Sequence, residues 1–107
     1  MARVRRYVEY LDGQTCGVVV TAGDEERARR NGLDRGTPEF NLEVVWYAAK
    51  RNGLPYADGN DEEGMLAWLD HVTSWDMYMT QEDVDAVDDP EVREQLQKLV
   101  RDDLGEA

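Results

Sequence analysis

The chain has a single histidine, His71, a single cysteine, Cys16, and a single serine, Ser74, so its options for nucleophilic or metal chemistry are few. One His and one Cys cannot make the four-ligand set of a structural zinc site. Ser74 is not framed by the G-x-S-x-G turn that presents a hydrolase nucleophile, and Cys16 has no basic neighbour in sequence to hold it as thiolate. His71 falls on the polar side of an apolar helical pattern and reads as a solvated surface residue. The carboxylates Asp83, Asp85, Asp88 and Asp89 invite a calcium reading, but the run has no central glycine and contains Pro90 where a binding loop would continue. Asp58-Gly59-Asn60 fails as well, because Leu69 occupies the position that needs a bidentate carboxylate. Gly13, Gly17 and Gly23 match neither phosphate-loop spacing. No catalytic, cofactor or metal residue is expected, and the residues point to a non-enzymatic protein that works by binding.

Binding chemistry is concentrated elsewhere. Trp68, Trp75, Met77, Tyr78 and Met79 lie within twelve residues, and Trp, Tyr and Met are the types enriched where proteins meet proteins. Trp46 lies beside the polar stripe of its helix and joins them as a candidate contact. Trp68 also reads as a core residue, whereas Met77-Tyr78-Met79 falls outside a clear helical stripe and is expected to be exposed. Charge reinforces this reading. The net charge is −12, and it is uneven: residues 1–53 carry nine basic and eight acidic side chains, residues 54–107 three and sixteen. Such a field repels phosphate and anionic lipid, so neither nucleic acid nor a membrane surface is an expected partner. It attracts basic partners.

Several elements must position these residues. The segments 4–11 and 14–21 are rich in β-branched and aromatic types around Asp12-Gly13, which predicts a hairpin with a two-residue turn. That turn pairs Tyr7 with Val18 and puts Tyr7, Leu11, Cys16, Val18 and Val20 on one face, with Val4, Val8, Tyr10 and Val19 on the other. Acids lead and arginines follow in 24–31, as a short helix prefers. Thr37-Pro38 opens and Gly53-Pro55 closes a helix that is apolar on most sides, EVVWYAAKRNGL being its second half. Met65, Trp68, Leu69, Val72 and Trp75 fall on one face of a helix over 61–75, capped by Asn60. Thr80 opens a short acidic segment. Asp89-Pro90 opens a last helix with the stripe Val92, Leu96, Leu99 and Val100. The expected fold is α+β but mostly α, a single domain over 1–107: a hairpin at 4–21, a helical core at 24–75 and an acidic helical region at 76–107, so that an N-terminal β-hairpin precedes a small bundle of three to four helices.

The order of parts resembles a known family. Trp46, Ala48, Lys50, Arg51 and Gly53 form W-x-A-x-K-R-x-G, followed by a short polar loop and GMLAWLDHV. With the Asp12-Gly13 hairpin before and the acidic half after, residues 4–87 are similar to the tail assembly chaperones of long-tailed bacteriophages, especially those of actinobacteria. Met65 and Trp68 stand where that family usually has a Phe-x-x-Phe-like pair, and the Pro90 helix is less typical of it. The resemblance implies a chaperone that coats the tape measure protein, keeps it soluble and recruits tail tube subunits. It implies action in the cytoplasm of the bacterial host and absence from the mature virion, and coating a long polymer implies self-association. Two other readings stand beside it: an acidic DNA mimic that inhibits a DNA-binding enzyme, and a small antitoxin-like adaptor. One cysteine permits no intrachain disulfide and suits a reducing compartment. No apolar run approaches a membrane span.

Overall fold

A computed structural model describes residues 4–104; residues 1–3 and 105–107 lie outside the described residues. The element order is β1 (Val4–Tyr10), β2 (Thr15–Val20), α1 (Ala22–Arg30), α2 (Pro38–Arg51), α3 (Glu62–Leu69), β3 (Val72–Tyr78), α4 (Gln81–Asp85) and α5 (Pro90–Gln97). The strands form one antiparallel sheet in the order β2-β1-β3. The expected mostly helical bundle is therefore wrong. The protein is a mixed α+β domain built around a three-stranded sheet, with helices on both of its faces.

The difference comes from residues 72–78. Val72 and Trp75 extend the apolar stripe of the preceding helix in register, which is why the sequence reads as one helix to residue 75. In the fold α3 stops at Leu69, and VTSWDMY pairs with β1, Val8 opposite Trp75 and Arg5 opposite Tyr78. Without β3, the hairpin would leave the outer edge of β1 unpaired, and two strands alone are marginal in water. Sheet completion overrides a helical pattern in a segment whose own residues, Val, Thr, Trp and Tyr, suit a strand. A bulge between Glu9 and Tyr10 takes up the extra residue Thr73, whose hydroxyl donates to the Glu9 carbonyl at 3.1 Å.

The hairpin forms, but its register is one residue from expectation. The Tyr10 N–H donates to the Gln14 carbonyl at 2.8 Å and the Gly13 N–H to the Tyr10 carbonyl at 2.9 Å. The loop is thus Leu11-Asp12-Gly13, with Gly13 at φ +89°, the left-handed residue of a three-residue turn. Tyr7 faces Gly17 instead of Val18. A slip of one residue exchanges the faces of one strand relative to the other. Val8 and Tyr10 consequently join Cys16, Val18 and Val20 on the inner face, and Leu11 is left exposed in the loop.

That inner face packs on the helices. Val8, Tyr10, Val18 and Val20 meet Ala28 of α1, Phe40, Val44, Val45, Trp46, Ala48 and Ala49 of α2, and Trp68 of α3 in one buried cluster. α2 is the central helix the sequence promised. Thr37 Oγ1 accepts from the Phe40 N–H at 3.2 Å, and Pro38 sits at the first turn. At the other end Gly53 has φ +67°, its N–H donates to the Lys50 carbonyl, and the Leu54 N–H reaches back to Ala49. This paired C-terminal cap also buries Leu54.

Two Thr-x-x-Asp capping boxes dock the flanking helices. Thr21 and Asp24 cap α1 reciprocally; Thr80 and Asp83 cap α4 in the same way. Each aspartate also receives a distant arginine. Arg51, at the end of α2, donates to Asp24 at 2.8 Å and to the Val19 carbonyl at 2.8 Å, joining α2, α1 and β2. Arg5 of β1 bonds Asp83, joining α4 to the outer face of the sheet. There Tyr78 and Val84 are buried, and the Arg101 guanidinium lies 5.3 Å from the centre of the Tyr7 ring. Met79 and Val100 form a parallel bridge that returns the segment after α5 to the end of β3.

Candidate partner-binding surface

The six candidate residues separate into three groups. Trp46 and Trp68 are interior, with ring centres 5.4 Å apart, and Trp68 Nε1 donates to the Tyr10 hydroxyl at 3.0 Å. Burial raises the Tyr10 hydroxyl above its ordinary pKa, opposed by that bond. Tyr78 is also interior, 1% exposed on the opposite face of the sheet. The expectation that Met77-Tyr78-Met79 is exposed as a unit therefore fails at Tyr78. Strand alternation sends adjacent side chains to opposite faces, and α4 covers the face that Tyr78 occupies. Met79 is half-buried, and its backbone is tied to Leu99 and Arg101 at 3.0 and 2.9 Å.

Only Trp75 and Met77 remain at the surface. Both are on the inner-facing side of β3: Trp75 is half-buried, packed against the margin of the core cluster, and Met77 is 40% exposed. Val4, 45% exposed, lies on the same side two positions from Arg6, the residue opposite Met77. β3 is an edge strand, and such an edge is a ready template for a partner. Beside it Asp70 and Asp76 are exposed, and Asp76 blunts the edge by accepting from the Met77 N–H at 2.7 Å. Further along the chain Glu82, Asp85, Asp88, Asp89, Glu91 and Glu94 are all exposed. The surface is a small apolar strip in the acidic half of the chain.

Sequence reasoning passed over two features. Tyr56 adopts φ +65°, a left-handed conformation rare for a bulky residue, while its ring stacks on His71 at 3.7 Å and 7°. His71 is thus a stacking partner and not a simply solvated side chain. The second is a cavity of ≈ 430 Å³ between α2 and the start of α3, with Trp46, Tyr47 and Met65 among its walls and the carboxylates Glu43, Asp61 and Glu62 at its margin. Its position follows from the approach of Gly59 to Gly64: a Cβ on Gly59 would lie 2.5 Å from the Gly64 Cα. Only two glycines let loop and helix come that close. A Gly-x-x-x-x-Gly spacing after a helix stop was the available signal.

Burial, and then Asp12, push the Cys16 thiol up, away from the reactive thiolate. Among the described residues no three His, Cys, Asp or Glu side chains converge as a metal-holding group. Among them, too, no helix is long and apolar enough to cross a membrane. No family model, no curated protein and no solved structure matches the chain.

Proposed function

We propose that this protein is a non-enzymatic assembly chaperone of the phage-tail type, which holds the tape measure protein in solution in the host cytoplasm, helps recruit tail tube subunits and is not retained in the mature virion. The observation that carries the reading is the strip of half-buried Trp75 and exposed Met77 on an edge strand, set in a half of the chain with three basic and sixteen acidic residues. An adaptable Met and aromatic strip suits the varied apolar face of a long amphipathic helix, and the carboxylates of that half suit its basic flanks. The strip is small, so coating a long polymer requires many copies bound side by side, which makes self-association part of the reading.

The test is co-expression with the tape measure protein of the same genome. The chaperone reading predicts that the tape measure becomes soluble and co-elutes with this chain. Persistent insolubility with no complex rejects it.

A DNA-mimic inhibitor is the second reading, supported by the exposed acids of residues 82–94. Salt separates the two. A mimic that replaces phosphates loses about a thousandfold or more in affinity between low and moderate salt, as DNA itself does. A contact built on apolar burial loses far less.

A further inference from the structure

The cavity between α2 and α3 has the chemistry of a cation receptor. Glu43 Oε1 already accepts from Asn31 Nδ2 and from the Tyr47 hydroxyl, the latter at 3.1 Å, which fixes the carboxylate at the wall. Burial, with the Glu43 charge adding to it, raises the Tyr47 hydroxyl, so that group stays a neutral donor to Glu43. Asp61 Oδ1 is held by the Gly64 N–H at 2.9 Å. Among the described residues neither Glu43, Asp61 nor Glu62 has a Lys or Arg within ion-pair distance. One cation does occupy the rim. The Lys50 ammonium lies 5.3 Å from the centre of the Trp46 ring and donates to Asn60 Oδ1 at 3.1 Å. The wall thus already receives a cation by the aromatic-plus-oxygen combination that a second one would use.

We propose that this cavity receives an arginine side chain from a partner protein, the guanidinium lying against the Tyr47 wall and pairing with Glu43 and Glu62 while its methylenes rest on Met65. The volume accommodates one such side chain, and a guanidinium is the cation that combines a flat face with a fork of donors. The inference rests on the chaperone reading, to which it adds the chemistry of the partner's basic flank.

The test uses the full chain and two probes. The first is propylguanidinium, followed by the backbone amide resonances of residues 60–62 and the side-chain amides of Asn31 and Asn60. Saturable shifts are expected with a dissociation constant on the order of millimolar. Glu62→Gln, at an exposed site, and Glu43→Gln, which keeps its acceptor oxygen, each weaken binding by about fivefold, and neutral propylurea produces no saturable shift. The second probe is a helical peptide with one arginine, compared with its citrulline counterpart. The arginine peptide is expected to bind more tightly than the free cation. Equal shifts with propylurea, no saturation, or unchanged binding in both variants overturns the inference. So does binding of the free cation without binding of the peptide, which would make the occupant a small amine. If the tape measure is solubilised equally by wild type and Glu43→Gln, this inference fails while the chaperone reading survives.

Discussion

The two capping boxes are the same device placed in unequal surroundings. At Thr21–Asp24 the aspartate is fully buried, its arginine comes from the central helix, and the attached helix α1 adds Ala28 to a cluster that continues through α2 and α3. At Thr80–Asp83 both members of the ion pair are nearly buried, yet the element beyond it is thin: α4 buries Val84, and α5 buries no residue at all. The box anchors a helix start in both cases. What differs is how much apolar surface lies behind the anchor, and local stability follows that. Residues 4–78 form the scaffold, and residues 79–104 are a strap pinned on its outer face by Arg5, Arg101 and the Met79–Val100 bridge.

The largest effect expected tests the scaffold. Trp68→Ala removes the most deeply buried large side chain and is expected to cost about 3–5 kcal/mol in chemical denaturation. Trp68→Phe keeps most of the volume but deprives the buried Tyr10 hydroxyl of its donor, at about 1–3 kcal/mol. A cost below 1 kcal/mol for Trp68→Ala would place that residue outside the cooperative core.

Next come the two anchors. Arg51→Ala leaves the Asp24 carboxylate buried without its main partner and is expected to cost about 3 kcal/mol, spread over the whole unfolding transition. Asp83→Ala removes a cap and an ion pair together, about 2 kcal/mol, but the loss is confined to the strap. Hydrogen exchange separates these outcomes. In the Asp83 variant the amides of α4 and α5 exchange faster while those of α2 keep their protection. Equal acceleration in both regions would show one cooperative unit. In the wild type the same contrast is expected in milder form, with α5 amides opening before α2 amides.

The smallest effect concerns pH. Arg29 and then Arg30, by hydrogen bonds to Glu26, lower its carboxyl to a pKa of about 2. A depressed carboxyl contributes stability above its ordinary range and loses that contribution as pH falls toward 2. The pair is exposed, so Glu26→Gln is expected to change the melting temperature only marginally, most above pH 4.5 and fading toward pH 2. A clear change at pH 2 would contradict the assignment.

Local rules carried much of the fold in the sequence. Thr37-Pro38, Gly53 and Asp89-Pro90 mark helix ends because each acts through its immediate neighbours, and α2 buries Val44, Val45, Ala48 and Ala49 as a helix apolar on most sides must, with Trp46 buried beside them. The failures were at choices that local rules leave degenerate. Asp12-Gly13 fits a two- or a three-residue turn, and the one-residue difference exchanged the face of the hairpin core. Val72 and Trp75, three apart, read as one helical stripe; in the strand they share a face only because the bulge at Thr73 shifts the register, and the open edge of β1 decides for the strand. The candidate site inherited that second error. Once β3 alternates, Tyr78 is buried on the outer face beneath α4 and Met77 stays exposed on the other side, while the helical reading of Trp46 hid its ring contact with Trp68. The arginines that complete the two boxes, 27 and 78 residues away from their aspartates, left no local trace.

Met77 gives the most direct test of the central claim, that the open side of β3 is where a partner binds and is not part of the scaffold. Met77→Ser should weaken binding to the co-expressed tape measure protein by about tenfold or more while leaving the melting temperature within a degree or two of wild type. Undiminished binding, or a large fall in melting temperature, would contradict it.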